Sequence, residues 1–552
     1  MKVLFIPCDG DGHAKKTVSE EGVTRTQHAA REYHKKAKLR RAKTKDQPVH
    51  DKRSPRKSSS ASNSTSSTDT PTDEPLDIEL EARRQSPNQI LLGASRSDPF
   101  NTIGDSDSGI PLYVHEMLDH AISYHWSEMC LTDGGGPNAA RTEIMQSVMH
   151  SPAAWYTIVY AGATHNAYQY GGRGTTKQNE QLRLMYKTKA IRSLMDYIQE
   201  NGDKVSEEAL LSMITLASHG TGESLKGHDS YKRQNLSFLS HLHDVEYYVS
   251  MDTGMEHLHA VYSIVDQRGG LRALRRKSLA IVIQLCDILT SWRDLQRPHF
   301  SLLAPTKWYI SMRSHQPDTV AQGMLDTLAT GFHALVSDGY FGLDDIVKVA
   351  DSTSIFSADF DQLLSTHDLP KDQRPLQTPN MALVRYMRWC VLHDILMLRD
   401  YSTDDNIPTE QVLHEICRLI LCAYAVFVVV PMPPRSKLHA KIAERLSSIL
   451  IRAVKLGVPG KQPDLFLCAV AWGWMCTEKA VGYRKLEKLL GSYTTLLEFT
   501  VVRRKPESWS TVENILKSFL WMDTYCEEPG RKFWAGACGL AEGENVIGQD
   551  FS

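Results

Sequence analysis

No stretch of this 552-residue chain carries the ~18 consecutive apolar residues that suggest a membrane span. The longest run, Leu419 to Val430, has 12. The apolar residues Val3 to Pro7 are too few for a signal-peptide core before Asp9 and Asp11. The expectation is therefore a chain that is neither secreted nor inserted in a membrane. Net charge is nearly absent as well, at −2. With 41% hydrophobic and 23% charged residues, the composition excludes collagen, a membrane bundle and wholesale disorder. Cys-x-x-Cys spacing is missing: the closest of ten scattered cysteines, Cys417 and Cys422, lie five apart, so neither a zinc site nor a redox pair is indicated. Several sit in apolar helical stretches, where Cys acts as a small hydrophobe, and this suits a reducing compartment.

Catalytic signatures are also lacking. No Gly-x-Ser-x-Gly elbow occurs, and the Gly220 to Gly227 segment has its Lys226 before the last glycine instead of after it, so it reads as a glycine loop and not a phosphate cradle. Gly171 to Gly174 reads the same way, as a turn between helices. His115 and His120 flank an acidic helix in the manner of a zinc protease, but five residues apart instead of four, which turns them away from a common metal. The favoured reading there is an amphipathic helix with exposed histidines. His241 with His243, and His257 with His259, are read as chance neighbours among 22 histidines. No catalytic residue, metal ligand or cofactor is assigned from the sequence, and an enzyme ranks below the other readings.

What the chain does have is segregated charge. Between Arg25 and Lys57 stand 13 Lys or Arg against 3 acids, a net of +10 that leaves −12 for the remainder. Seven of the 11 residues from Lys35 to Lys45 are basic. Arg31, Lys35, Lys36, Lys38, Arg40, Arg41, Lys43 and Lys45 are the candidates for recognition by the nuclear import machinery or for contact with the DNA backbone. If all seven charges of the 11-residue stretch neutralise phosphates, affinity falls with salt at a log-log slope of about −6. Pro48 and the Ser-rich stretch interrupt any heptad continuation, so a basic-zipper dimer is not expected, and DNA contact would be weakly sequence-specific. Ser54, followed by Pro55 between Arg53 and Arg56, is a candidate phosphorylation site whose modification would cancel about 1.5 to 2 of these charges.

Composition marks three segments. Residues 1–57 form a basic N-terminal arm expected to be disordered, and residues 58–94 form a linker, first Ser/Thr-rich (11 of the 16 residues 58–73) and then acidic. Residues 95–552 carry apolar residues at helical three-and-four spacing with almost no strand alternation. Helices are expected over Leu112 to Trp126, Arg141 to His150, Ala153 to Tyr170, Gln181 to Glu200, Glu207 to Ala217, Met255 to Val265, Leu271 to Leu289, Met381 to Leu398, Ala440 to Ile451, Leu465 to Met475 and Val512 to Met522. Within Met381 to Leu398, Arg385 and Arg388 read as a narrow polar stripe on an otherwise buried helix. The fold class is all-α, an irregular multi-helix array, since no fixed-period repeat is visible.

The order of segments after the linker resembles the fungal-specific transcription-factor domain, the second of its two broad types. The resemblance is carried by Asp98-Pro99-Phe100, by Ala154-Trp155-Tyr156 with Ala161-Gly162-Ala163-Thr164-His165, and by Lys189-Ala190-Ile191. It continues through Met255-Glu256-His257-Leu258 to the Gly269-Gly270 turn, and through Ala471-Trp472-Gly473 and Phe519-Leu520-Trp521. It covers roughly residues 95 to 545 and implies a helical regulatory domain. Trp155, Trp472 and Trp521 read as core contacts, and Gly269 or Gly270 as the left-handed closure of a helix. Many members carry a binuclear zinc cluster of six N-terminal cysteines, but this chain has only Cys8 before Cys130, and a basic segment similar to that of cluster-lacking relatives stands in its place. The resemblance implies a nuclear transcriptional regulator with transcription proteins as partners and a body that binds partners or a small effector. The alternative is an α-helical interaction scaffold without DNA binding.

Overall fold

Short polar side chains ahead of apolar runs start several of the helices. Thr176, Ser206, Asn380 and Ser508 each stand in extended backbone and accept a hydrogen bond from an amide in the first turn that follows, at Asn179, Ala209, Ala382 and Thr511. A computed structural model describes residues 112–121, 136–169, 176–202, 204–220, 245–367, 379–401, 407–432, 437–480, 485–504 and 508–547. The chain divides into two units, Met1–Asp98 and Pro99–Ser552, and every described residue belongs to the second. The candidate import or DNA-contact residues Arg31 to Lys45, Ser54, the glycine turns at 171–174 and 221–227, and His241 and His243 lie outside the described residues.

The regular elements among the described residues are all helical, with no strand. A first group comprises α1 (Leu112–His120), α2 (Gly136–His150), α3 (Pro152–Gln169), α4 (Lys177–Asn201), α5 (Glu207–Ser218), α6 (Val245–Ser250) and α7 (Met255–Gln267). A middle group comprises α8 (Lys277–Asp294), α9 (Thr306–Ser311), α10 (Thr319–Thr327), α11 (Thr330–Ser337), α12 (Asp344–His367) and α13 (Met381–Met397). The last comprises α14 (Thr409–Tyr424), α15 (Leu438–Lys455), α16 (Val458–Lys461), α17 (Pro463–Lys479), α18 (Leu486–Arg504), α19 (Trp509–Phe519) and α20 (Asp523–Ile547). Helix α3 is the hub of the first group, packed on α1, α2, α4 and α5; α5 carries the stack to α7 and α8, and α8 meets α13. Helix α14 touches α12, α13, α15 and α17.

The all-α array is as expected, but several of its helices differ from the periodicity reading, two of them near the site described below. The span Leu271 to Leu289 breaks into a 3-10 turn, Leu271–Ala273, and α8, because Leu274 takes an extended conformation between them. Ahead of the break, Gly269 and Gly270 both adopt positive φ, 94° and 91°, and the Gly270 amide returns to the Val265 carbonyl at 2.9 Å. A side chain would strain either position, so the pair closes α7 as its sequence implies. In α13 only half of the polar stripe reaches the surface, at the half-buried Arg385. Arg388 is fully buried over the Trp389 ring, and burial with the neighbouring Arg385 pushes its pKa down to about 9.

The densest core surrounds α14. Its last turn runs into a π turn, Ala425–Val429, and the Thr409–Val429 span is long and apolar enough to cross a membrane, yet it is buried inside the body from Val412 to Val429. Trp472 of α17 is fully buried among Tyr424, Phe427 and Trp521, with ring centroids 5.6 to 6.0 Å apart. Burying one such ring contributes roughly 5 kcal/mol by area. Trp155 and Trp521 are also core residues. The described cysteines are unbridged and most are buried; burial raises the thiols of the buried ones, Cys422 to about 11 and Cys526 to about 12, so these act as small hydrophobes.

Two buried imidazoles give the fold a pH dependence. Burial, with Lys479 adding repulsion, lowers His439 to about 3; burial, with Arg418 and Arg399 adding repulsion, lowers His414 to about 4. In the unfolded chain both would protonate near pH 6.5, so between about pH 6.5 and 4 the unfolded state holds more protons than the folded one. Stability therefore falls as pH drops through that window, by about 2 kcal/mol per ring at pH 5. Urea midpoints at pH 7 and pH 5 should show this loss, and His439→Leu should roughly halve it.

Candidate functional site

The site is built from a basic stretch that the tertiary structure divides. Directly after the Gly269-Gly270 turn the chain reads Leu271-Arg272-Ala273-Leu274-Arg275-Arg276-Lys277, four cations in seven residues. Two of them face carboxylates at the start of α5. Glu207, buried, accepts the backbone amides of Arg275 and Arg276 at 2.8 and 3.0 Å, and Glu208 pairs with the Arg276 guanidinium at 2.5 Å. Although burial alone would raise the Glu208 carboxyl, that bond holds it below its usual range. Glu143 of α2 takes the Ser278 amide and hydroxyl. Three carboxylates thus anchor the start of α8, as acids do at a helix N-terminus.

Arg272 and Lys277 face the other way. Each meets a backbone carbonyl, Arg272 that of Leu303 at 3.0 Å and Lys277 that of Leu274 at 3.3 Å. They edge a cavity of about 420 Å³ whose walls come from α8, α9 and α13: Ile281, Leu303, Ala304, Trp308, Tyr309, Asn380, Ala382, Leu383 and Tyr386. This volume lies in the range of small-molecule sites, about 300–1,000 Å³.

The aromatic wall is held rigidly. Tyr309 and Tyr386 are buried with centroids 4.4 Å apart at 32°, and Trp308 meets Tyr309 edge-on at 4.6 Å. The Tyr386 hydroxyl donates to Gln284 Oε1 at 3.2 Å, and Gln284, itself buried, donates to the Ser301 carbonyl at 3.3 Å. Asn380 caps α13 at the mouth, and no acidic residue occupies that helix's first turn. Trp308 is 39% exposed beside this wall, an unusual place to leave the largest apolar side chain. The arrangement offers ring surface inside and positive charge at the rim. It offers no nucleophile next to a base.

A second charged cluster lies between the C-terminal ends of α8 and α13 and helices α14 and α15. Glu415 and Arg418 are buried side by side, with Arg418 donating at 2.9 and 2.6 Å to both carboxylate oxygens, and the Tyr401 amide adds a third bond at 3.0 Å. Asp400 then bridges Arg418 at 3.2 Å and Arg445 at 2.8 Å. Burial works against the Arg418 charge, but the bonds to Glu415 outweigh it and raise the pKa above its ordinary value. With two carboxylates between two arginines, this network is satisfied internally and serves as a clamp.

Of the histidines considered from sequence, His120 turns towards α3, where its Nε2 lies 2.9 Å from Nδ1 of the buried His165; it is half-buried, and not on an exposed face as expected. His257 is also half-buried, and burial lowers its pKa. Among the described residues no group of three or more His, Cys, Asp or Glu is placed to hold a metal ion. Sequence reading missed the 420 Å³ cavity altogether. Its one legible signal was the density of cations from Arg268 to Lys277, which the helical reading of Leu271 to Leu289 absorbed.

No family model, curated protein or solved structure matches this chain.

Proposed function

We propose that the chain is a nuclear regulatory protein of the fungal transcription-factor type, in which a basic N-terminal segment serves import and DNA-backbone contact and the helical body binds a small effector or a partner. The observation that carries this reading is the charge layout: a net +10 within 33 residues, from Arg25 to Lys57, on a chain that is otherwise net acidic. Such a block is what an import receptor or a phosphate backbone reads. The cavity edged by Arg272 and Lys277 supports the effector half, because it has the size and the mixed aromatic and polar lining of a small-molecule site.

A tagged full-length chain is expected to concentrate in the nucleus and to occupy chromatin. Deleting residues 31–57 should abolish the nuclear signal, and supplying a foreign import signal to that deletion should restore location with reduced occupancy. Ser54→Glu should lower the nuclear fraction. Exclusion of the intact protein from the nucleus would overturn the reading. Intact occupancy after import is restored would confine the segment to an address and leave DNA contact elsewhere.

A further inference from the structure

We propose that the cavity between α8, α9 and α13 binds a small planar aromatic molecule carrying one anionic group, a carboxylate or its equivalent. The inference names the class of effector and so rests on the effector half of the reading above. It stands on three observations that do not depend on one another.

The first is charge selection. Of the four cations between Arg272 and Lys277, the structure pairs the Arg276 guanidinium with Glu208 at 2.5 Å and leaves that of Arg275 in solvent, 3.9 Å from Glu207, while Arg272 and Lys277 line the cavity. Among the described residues no carboxylate lines the cavity. A basic rim without an acid favours an anion and repels a cation.

The second is ring surface. Trp308, Tyr309 and Tyr386 form a continuous aromatic wall, and Trp308 keeps 39% of its surface exposed beside it. A flat π-system can stack or meet those rings edge-on, which a flexible alkyl chain cannot reproduce. Ile281 and Leu383 close the remaining sides with apolar surface.

The third is rigidity. Tyr386 is tied through Gln284 to the Ser301 carbonyl, and the loop that carries Arg272 and Lys277 is tied down by Glu143, Glu207 and Glu208. A site whose walls are already fixed loses little freedom when a ligand enters.

The test uses the purified full-length chain and three probes of similar size: 2-naphthoate, neutral 2-naphthylmethanol and aliphatic decanoate. Titration calorimetry is expected to show saturable binding of one naphthoate, about tenfold tighter than the alcohol and tighter than decanoate. The exposed pair Arg272→Gln and Lys277→Gln, changed together, should weaken naphthoate by roughly tenfold and the alcohol by less than about twofold, while the thermal midpoint stays unchanged. Trp308→Ala should weaken both aromatic probes by roughly fivefold. Absence of saturable naphthoate binding, equal affinity for decanoate, or full affinity in the double variant would each overturn the proposal. Because the assay reads no localisation, its failure leaves the nuclear reading intact, and nuclear exclusion would leave this binding intact.

Discussion

Replacing Glu415 by glutamine is expected to destabilise the protein by about 3–5 kcal/mol, the usual cost of removing one partner of a buried ion pair. Glu415 has no solvent exposure and Arg418 has 1%, so the guanidinium left behind cannot recover its hydration. Asp400 reaches Arg418 through one oxygen at 3.2 Å and is already engaged with Arg445, so it cannot replace a bidentate partner. Glu415→Gln keeps the shape and the Tyr401 contact while deleting the charge, which isolates the electrostatic part. Changing both partners, Glu415→Leu with Arg418→Met, should return most of the loss, since apolar packing in place of a buried pair is often neutral. Denaturant midpoints followed by helical circular dichroism would decide it. A single variant as stable as the parent would mean that water reaches the pair.

The second large effect is expected at Gly473. Glycine inside a helix ordinarily costs about 0.5–1 kcal/mol relative to alanine, so Gly473→Ala would on propensity alone stabilise α17. Here the sign reverses. A Cβ at 473 would overlap the phenol ring and hydroxyl of Tyr493 on α18. Tyr493 is fully buried, and its hydroxyl donates to the Ala443 carbonyl of α15 at 2.7 Å, so moving the ring both opens a void and breaks that bond. Overpacking of this kind costs about 1–3 kcal/mol and the lost hydrogen bond about 1 more, so after the propensity gain the net loss is roughly 2 kcal/mol. Pairing Gly473→Ala with Tyr493→Leu should cost less than the sum of the two single changes. Thermal melts of the four proteins test this coupling, and a neutral or stabilising Gly473→Ala would refute the close approach.

Helix type was legible wherever the apolar spacing was strong. The expected spans over Glu207 to Ala217, Met255 to Val265 and Met381 to Leu398 fall within a residue or two of α5, α7 and α13. Helix α12 was missed for a chemical reason. Its sequence is rich in Ser, Thr and Asp, which weaken helix propensity. Inside the fold, Thr353 and Ser357 donate to the carbonyls of Val349 and Thr353, each at 2.7 Å, so their hydroxyls are satisfied within the helix and can be buried. The last helix of the Val512 to Met522 span stops early, at Phe519, because Leu520 turns extended and sends Trp521 into the core.

By itself the sequence determined the helical class, the basic segment, the glycine pair that ends α7, and the tryptophans fit for a core. Each of these depends on residues close together along the chain, where period, local charge or backbone freedom can be read directly. Only the tertiary structure decided which cations are neutralised and which are left facing a cavity, whether an arginine in α13 is a surface stripe or a buried charge, and why Gly473 must lack a side chain. Those outcomes depend on partners well beyond local range, such as Tyr386 with Gln284 more than a hundred residues away, and no local pattern encodes which distant side chain arrives. Burial and pairing are properties of the folded neighbourhood, and they fix the sign of the electrostatic effects inside the body.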